Sequence, residues 1–232
     1  MKRFAILTLA FLAPILPGLV CAADNELTEQ ETKDGWKLLF DGKTTEGWRG
    51  YKKKDVPAAW KVIDGTLAHT GGGGDLRTLD KFENFELLID WKFETEGNSG
   101  VIYHCSEEGG QPYETGPEMQ VMIHPADKKP GKNDGGAYYD VVAPTKIATK
   151  GKGEWNTFKI VCNGSKVEHW VNGEKVVDVD TGTDEFKAKI AASKWGKVKL
   201  FNTVKNGYID LQDHGSKIAF KNIKIKALPE TK

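Results

Sequence analysis

The sequence is poor in cysteine, has no net charge and lacks the short motifs that mark the common hydrolases. Its 232 residues include 3 cysteines, and 33 basic residues balance 33 acidic ones. A balanced charge gives no support for nucleic-acid binding or for polybasic attachment to a membrane surface. The absence of Gly-x-Ser-x-Gly, Cys-x-x-Cys and His-x-x-x-His argues against a serine nucleophile elbow and against a zinc site with these spacings.

The first 23 residues predict export. A basic start, an apolar run over residues 4–16 and small residues up to Ala23 form the pattern of a secretory signal, with cleavage after Ala22 or Ala23. The apolar run is too short to span a membrane, and no later stretch approaches the ~18 apolar residues that a spanning helix needs. We therefore expect a secreted or periplasmic protein, with a lipoprotein anchored through Cys21 as the alternative.

The mature chain is long enough for one domain with a substantial core. Residues 24–35 are polar and predict a loose leader, and residues 36–228 predict a single domain. Two cysteines remain, Cys105 and Cys162. Export permits a disulfide, but spacing does not establish one, and two free or buried thiols are the favoured interpretation.

Short alternating strands separated by turn signals run through the domain. Asn163-Gly164 and Asn172-Gly173 each separate two β-rich runs, which is the strongest short-range hairpin signal. About a dozen short strands with little helix predict an all-β, two-sheet antiparallel sandwich. The pattern also predicts a tight turn at residues 98–100, a short helix within 183–195, a strand over 197–202 and a bulge near Asn222.

Residues 117–123 predict a strand whose two faces differ in character. One face is apolar, and the opposite face carries Glu118, Gln120 and Met122. Two Gly- and Lys-rich segments that predict loops flank the strand. A carboxylate beside an amide, framed by loops, is typical of the floor of a polar binding site, and the alternative is a solvated strand face.

A second polar set follows later in the chain. Asp210, Gln212 and His214 share the parity opposite to Ile209 and Leu211, so they lie on the side of Glu118 if the apolar pair faces the core. Histidine titrates near neutral pH and suits proton transfer. The alternative is that residues 213–215 form a turn capped by His214. Trp48, Trp170 and Trp195 are candidates for stacking on a sugar ring.

An ordered set of segments resembles the 3-keto-disaccharide hydrolase domain family. The resemblance extends from Trp36 to Leu228, nearly the whole mature chain, and implies an exported, sugar-active protein with a jelly-roll sandwich of the concanavalin A-like lectin/glucanase type. His104 departs from the arginine that family members more often carry. The segments that carry the resemblance are Trp36 with Leu39-Phe40-Asp41-Gly42, Trp48, Trp60 with Asp64-Gly65, Asn98-Ser99-Gly100, Glu118-Met119-Gln120, Tyr138 with Pro144, Glu154-Trp155-Asn156, Trp170 with Asn172-Gly173, and residues 207–215.

The resemblance implies cleavage of glycosides whose sugar carries a ketone at carbon 3. Such a ketone acidifies the hydrogen on carbon 2, and the glycosidic oxygen lies β to the carbonyl. One base and one acid then suffice for elimination, after which water adds. Glu118 and His214 are the expected catalytic pair, either one as the base. The expected substrate-binding residues are Gln120, Gln212, Lys146, Asp90, His104 and Asn98.

Other functions stay open at the level of sequence. A retaining glycosidase needs two carboxyl groups ~5 Å apart, and the strand supplies only Glu118. A non-catalytic carbohydrate-binding module would need the same face without proton-transfer groups, and a cell-surface interaction domain is a third option. We predict no cofactor and no metal ligands, although sandwiches can hold a structural calcium ion. The expected partners are an oligosaccharide or 3-keto-glycoside and a sugar 3-oxidoreductase that forms the ketone.

Overall fold

A computed structural model describes residues 23–229. The predicted signal peptide lies outside these residues except for Ala23. The elements are α1 (Glu29–Lys33), β1 (Trp36–Leu38), β2 (Trp48–Gly50), β3 (Trp60–Ile63), β4 (Thr66–His69), β5 (Leu76–Thr78), β6 (Phe85–Lys92), β7 (Asn98–Cys105), β8 (Glu118–Met122), β9 (Asn156–Asn163), β10 (Lys166–Val171), β11 (Glu174–Asp180), α2 (Asp184–Ala191), β12 (Tyr208–Leu211) and β13 (Ile218–Ala227). Short 3₁₀ helices cover Pro112–Glu114 and Lys194–Lys197.

The strands form two antiparallel sheets. Sheet A has the order β11-β10-β9-β6-β13-β4-β3, with β1 also paired to β13. Sheet B has the order β2-β5-β12-β7-β8. This architecture confirms the predicted all-β, two-sheet sandwich, and it places the Glu118 strand, β8, at the end of sheet B.

The hydrophobic core lies between the two sheets. In β6 every second side chain is buried, because neighbouring residues of a strand point to opposite faces. Leu87 and Ile89 of sheet A and Met119 and Val121 of sheet B have no exposed area. Burial of one such side chain stabilises the fold by roughly 1.5–3 kcal/mol.

One polar link crosses this core. The Tyr103 hydroxyl of β7 donates to Nε2 of His169 on β10 at 2.9 Å, and His169 Nδ1 donates to the Gly136 carbonyl oxygen at 3.0 Å. Burial lowers the pKa of His169 to about 4, so the ring is neutral and both of its nitrogens are satisfied. The pair connects sheet A to sheet B with a buried hydrogen bond.

Several local predictions are confirmed and two are wrong. The short helix and the bulge at Asn222, where β13 changes register, are as expected. Residues 98–100 begin β7 instead of forming a turn, because pairing with β8 overrides their turn propensity. Residues 197–202 form the end of a 3₁₀ helix followed by turns instead of a strand, since Phe201 stacks on Trp195 with ring centroids 4.8 Å apart.

The polar segment before the sandwich is not a loose leader. Thr28 and Glu31 form a capping box that begins α1. Asn25 binds the β13 bulge, donating its backbone N–H to Asn222 Oδ1 at 2.6 Å, and its side chain donates to the Gly65 carbonyl oxygen at 2.8 Å. The bulge residue, Asn222, has a positive φ, and the bulge leaves polar groups exposed for the contact with Asn25. The polar composition of residues 24–35 did not indicate this contact.

Candidate active site

β8 turns two polar side chains away from the core. Met119 and Val121 point into the core, as predicted, while Glu118 and Gln120 lie on the opposite face. That face is covered: Glu118 is 4 % exposed and Gln120 is 1 % exposed. The alternative of a solvated strand face is therefore wrong, and the two side chains form a buried polar floor.

A cavity of about 370 Å³ lies over this floor. We call it the β8 pocket. Five of the predicted site residues, among them His214, line it together. Its buried floor is formed by Glu118, Gln120 and Gln212, its walls by Tyr113, Tyr139, Lys194 and Trp195, and its rim by Asn98, Val198 and the exposed His214.

The Glu118 carboxyl group lies across the neighbouring strand. A Cβ atom on Gly100 of β7 would be 2.4 Å from Glu118 Oε1, so only glycine leaves room for the carboxyl group there. Across that space, Gln212 Nε2 donates to Glu118 Oε2 at 3.3 Å. Gln212 Oε1 is buried and has no hydrogen-bond partner within residues 23–229. A buried acceptor without a partner is unfavourable, so the floor presents a free acceptor for a ligand hydroxyl group.

Burial shifts the ionisation of Glu118 toward neutral pH. It raises the pKa of Glu118 from 4.5 to about 8, against the opposing effects of the Lys194 charge and the hydrogen bond from Gln212. The negative charge of Asp75 also raises this pKa. A carboxyl group that titrates near neutral pH in a cavity is suited to proton transfer.

Asp75 does not line the pocket, but it lies next to the floor, and the sequence did not reveal this. It precedes β5, and its Oδ1 accepts the Asp213 backbone N–H at 2.8 Å, next to the floor residue Gln212. Burial, helped by the charges of Asp210 and Asp213, raises the pKa of Asp75 to about 7. Asp75 directly follows four glycines, so the sequence did not single it out, although it has the same strand parity as Arg77.

The walls come from three connections outside the sheets. Tyr113 lies in the 3₁₀ helix Pro112–Glu114. Trp195 donates from Nε1 to the Tyr139 carbonyl oxygen at 3.1 Å. The Lys194 ammonium nitrogen is 4.0 Å from the Tyr139 ring centroid and 4.4 Å from that of Trp195. Of the three tryptophans expected to stack on a sugar, Trp195 is the one that reaches the pocket.

A buried ion pair supports the floor from the same face of sheet B. Arg77 donates from Nε to Asp210 Oδ1 at 2.9 Å and from Nη2 to Oδ2 at 2.7 Å. The rings of Tyr51 and Tyr208 each lie 4.5 Å from the guanidinium carbon. The Cys105 thiol also donates to Asp210. Asp210 is therefore engaged by the protein and faces no sugar.

Cys105 and Cys162 are both free and buried, as favoured from the sequence. Burial raises the pKa of each thiol well above its usual range. Neither side chain lines the β8 pocket, so the cysteines carry no chemistry of the site.

Three predicted substrate-binding residues lie outside the pocket. Asp90 is in sheet A, where it accepts from Thr157 and Asn222. His104 occupies a bulge of β7 with φ 51° and donates to the Glu83 carbonyl oxygen at 2.7 Å. Lys146 is exposed and pairs with Glu174 at 2.7 Å. Strand parity indicated a face for these residues but not which sheet or loop would hold them. The structure therefore corrects the predicted placement of these three residues at the substrate site.

The described part of the chain contains no group of three or more His, Cys, Asp or Glu side chains that could hold a metal ion. Neither of its two α-helices has the length and apolar character needed to cross a membrane.

Residues 35–226 match the sequence profile of the 3-keto-alpha-glucoside-1,2-lyase-like domain. The chain belongs to this family. A 3-keto-disaccharide hydrolase of Bacteroides thetaiotaomicron is 35% identical over 230 residues, covering 84% of this chain and 79% of that protein. The family resemblance seen in the sequence is thus confirmed, and the chain is a member of a sugar-active hydrolase family.

Solved structures of related proteins agree with the family assignment. A crystal structure described as a candidate glycosyl hydrolase, from Parabacteroides distasonis, is 36% identical with a TM-score of 0.81 and covers 89% of this chain and 100% of its own. A Bacillus subtilis carbohydrate-binding module is 11% identical with a TM-score of 0.50, covering 78% of this chain and 96% of its own. The second likeness shows the fold alone. Together they confirm the jelly-roll sandwich.

Proposed function

We propose that the protein cleaves the glycosidic bond of 3-keto-glycosides in the β8 pocket. The observation that carries this proposal is Glu118, a buried carboxyl group with a pKa near 8 at the floor of a sugar-sized cavity. The 3-keto-disaccharide hydrolase of B. thetaiotaomicron supports the choice of substrate class.

The 3-ketone makes cleavage accessible to a site with few charged groups. A base removes the hydrogen on carbon 2, and the electron pair forms an enolate with the ketone oxygen. The enolate then re-forms the ketone, a carbon 1–carbon 2 double bond appears, and the carbon 1–oxygen bond breaks. An acid protonates the leaving oxygen. Water adds to carbon 1 and a proton returns to carbon 2, so the net reaction is hydrolysis.

The depth of the pocket favours one order of roles. Glu118 lies at the buried floor, where the ring carrying the ketone would sit, and acts as the base in its ionised form. His214 lies exposed on the rim, where the leaving sugar would extend into solvent, and supplies the proton to the leaving oxygen. Gln120, Gln212 and Asn98 bind the sugar hydroxyl groups.

The hydrogen bonds of the floor limit how the sugar is held. One N–H of Gln120 Nε2 donates to Asn98 Oδ1 at 2.9 Å. One N–H of Gln212 Nε2 donates to Glu118, and Gln212 Oε1 is left as an acceptor. This acceptor binds a hydroxyl donor, so a sugar with a free hydroxyl group satisfies it better than an ether or an acylated sugar.

The decisive experiment compares a 3-keto-glucoside with its unoxidised parent. The mature protein should release the leaving sugar from the keto substrate alone, and in deuterium oxide the released 3-keto sugar should carry deuterium at carbon 2. Retention of the original hydrogen at carbon 2 would contradict the elimination route. Saturable binding of plain oligosaccharides without any release would instead favour the carbohydrate-binding module.

Replacing Gly100 with alanine tests the position of the carboxyl group. The new methyl group would overlap Glu118 Oε1, and misplacement of a catalytic group by ~1 Å can reduce the rate by about 10²-fold. We expect kcat/KM to fall by at least ~10-fold while the protein stays folded. Gly131→Ala is the control, because its added Cβ would be 3.6 Å from the nearest atom, an ordinary contact. Equal activity of the two variants would show that the carboxyl position is unimportant.

We also propose the cellular setting that follows from the substrate. Ordinary glycosides lack the ketone, so a sugar 3-oxidoreductase must supply it. The signal-like first 23 residues support a secreted or periplasmic location after cleavage near Ala22 or Ala23. Cell fractionation with an antibody to the mature protein tests the location.

A further inference from the structure

The proposed reaction needs a positive charge beside the ketone oxygen. Removal of the hydrogen on carbon 2 places a negative charge on that oxygen, and an enzyme lowers the barrier by holding a donor or a cation there in advance. The pocket floor provides no cation, and one N–H of each floor amide is already donated within the protein. Its Glu118 becomes neutral when it takes the proton, and the free floor atom, Gln212 Oε1, is an acceptor that would repel the enolate.

Lys194 is the pocket-lining residue with a permanent positive charge. Its ammonium group rests over the rings of Tyr139 and Trp195, which keep it at the wall without neutralising it. The backbone N–H of Lys194 donates to Asp140 Oδ2 at 2.7 Å, which holds this end of the 3₁₀ helix. Its charge also lowers the pKa of Glu118, so the two groups interact across the cavity.

We propose that Lys194 binds the ketone oxygen of the substrate and stabilises the enolate. This inference rests on the proposed function, and it gives substrate contact to Lys194 instead of Lys146, the lysine that the sequence predicted to bind substrate. Before the reaction the pocket contains the Glu118 carboxylate and the Lys194 ammonium group. After proton transfer it contains the Glu118 acid and an enolate beside the same ammonium group. The negative charge moves from the floor to the substrate oxygen, and Lys194 faces it in both states.

The assignment also explains which contact the pocket would make with the ketone. A ketone oxygen only accepts hydrogen bonds, and an ammonium group only donates them. Gln212 Oε1 and the Glu118 carboxylate select hydroxyl groups elsewhere on the ring. Donor and acceptors in the pocket thus match a sugar with one carbonyl group.

The test compares Lys194→Met and Lys194→Arg with Lys197→Met, an exposed lysine of the same 3₁₀ helix that does not line the pocket. We expect Lys194→Met to lower kcat/KM on a 3-keto-glucoside by about 10²–10³-fold, as for loss of one oxyanion donor. Lys194→Arg should retain part of the activity, and Lys197→Met should retain all of it. In a plot of kcat/KM against pH, the rise on the acid side should lie at higher pH for Lys194→Met, because the positive charge that lowers the Glu118 pKa is gone.

A binding measurement separates this role from simple wall packing. By calorimetry, Lys194→Met should weaken binding of a 3-keto-glucoside and leave the Kd of the unoxidised parent within about twofold, since the parent has no ketone. Equal loss of binding for both sugars would overturn the proposal, as would full activity of Lys194→Met. If the unaltered protein fails to cleave any 3-keto-glycoside, the proposed function is wrong. The same calorimetry still decides whether Lys194 binds the ketone oxygen.

Discussion

Replacing Glu118 with glutamine is expected to lower kcat on a 3-keto-glycoside by about 10²–10⁴-fold, the contribution of a positioned acid or base. The amide has the same shape but cannot take the proton from carbon 2. Substrate binding should change little, because the floor keeps its hydrogen-bonding groups. Single-turnover release of the leaving sugar, together with deuterium entry at carbon 2, measures the effect.

The same substitution should make the protein more stable at alkaline pH. The pKa of Glu118 is about 8 in the folded protein and ordinarily 4.5. Between these values the folded state holds a proton that the unfolded chain releases, so stability falls as pH rises through this window. The loss reaches on the order of 5 kcal/mol above pH 8. Glu118→Gln should not lose this stability, and the free energy of unfolding by denaturant at pH 4.5 and pH 9 measures the difference between the two proteins.

Glu108→Gln is the matched control, because Glu108 is exposed and lies outside the pocket. It should change neither turnover nor the pH dependence of stability. Near-normal turnover of Glu118→Gln would remove Glu118 from the chemistry. A variant that is inactive but equally sensitive to alkaline pH would show that the Glu118 carboxyl group is not desolvated.

Replacing Asp210 with asparagine should destabilise the fold more than any other single polar change considered for this protein. The substitution leaves the buried Arg77 guanidinium with only the partly exposed Glu107 carboxylate, 3.6 Å from Nη1, as a counter-charge, although Asn has nearly the same shape as Asp. Breaking a buried pair by removing one partner typically costs about 3–5 kcal/mol. For a chain of this size that lowers Tm by more than about 6 °C. Calorimetric or chemical unfolding at neutral pH measures it.

Two comparisons give the Asp210→Asn result its meaning. Asp178→Asn breaks the exposed pair with Lys175, which should cost less than about 1 kcal/mol because solvent screens it. The double variant Arg77→Met with Asp210→Leu removes both charges and should recover part of the lost stability. If Asp210→Asn is as mild as Asp178→Asn, the buried pair is not a structural support of the floor.

The sequence predicted the strands and the chemical face of β8 because both follow from local alternation. Met119 and Glu118 must point in opposite directions in any strand. Gln212 was placed correctly for the same reason. The sandwich class followed from the number and spacing of such strands.

The remaining site residues depend on contacts that alternation does not encode. Asp90 has suitable parity but lies in the other sheet, and only the strand order reveals this. Lys194 and Tyr113 come from irregular connections whose position is set by packing around Trp195. The bulge at His104, with its positive φ, changes the parity of β7 and brings Cys105 to Asp210. No periodic pattern marks these residues.

The floor of the β8 pocket lies on a sheet, while Tyr113 and Lys194 stand on connections that join strands. Substitutions or recombination in those two connections could therefore change which sugar the pocket binds without disturbing the strand pairing that holds Glu118. For engineering, grafting residues 181–207 from a relative, with Lys194 retained, offers a way to exchange substrate preference while Glu118 stays in place.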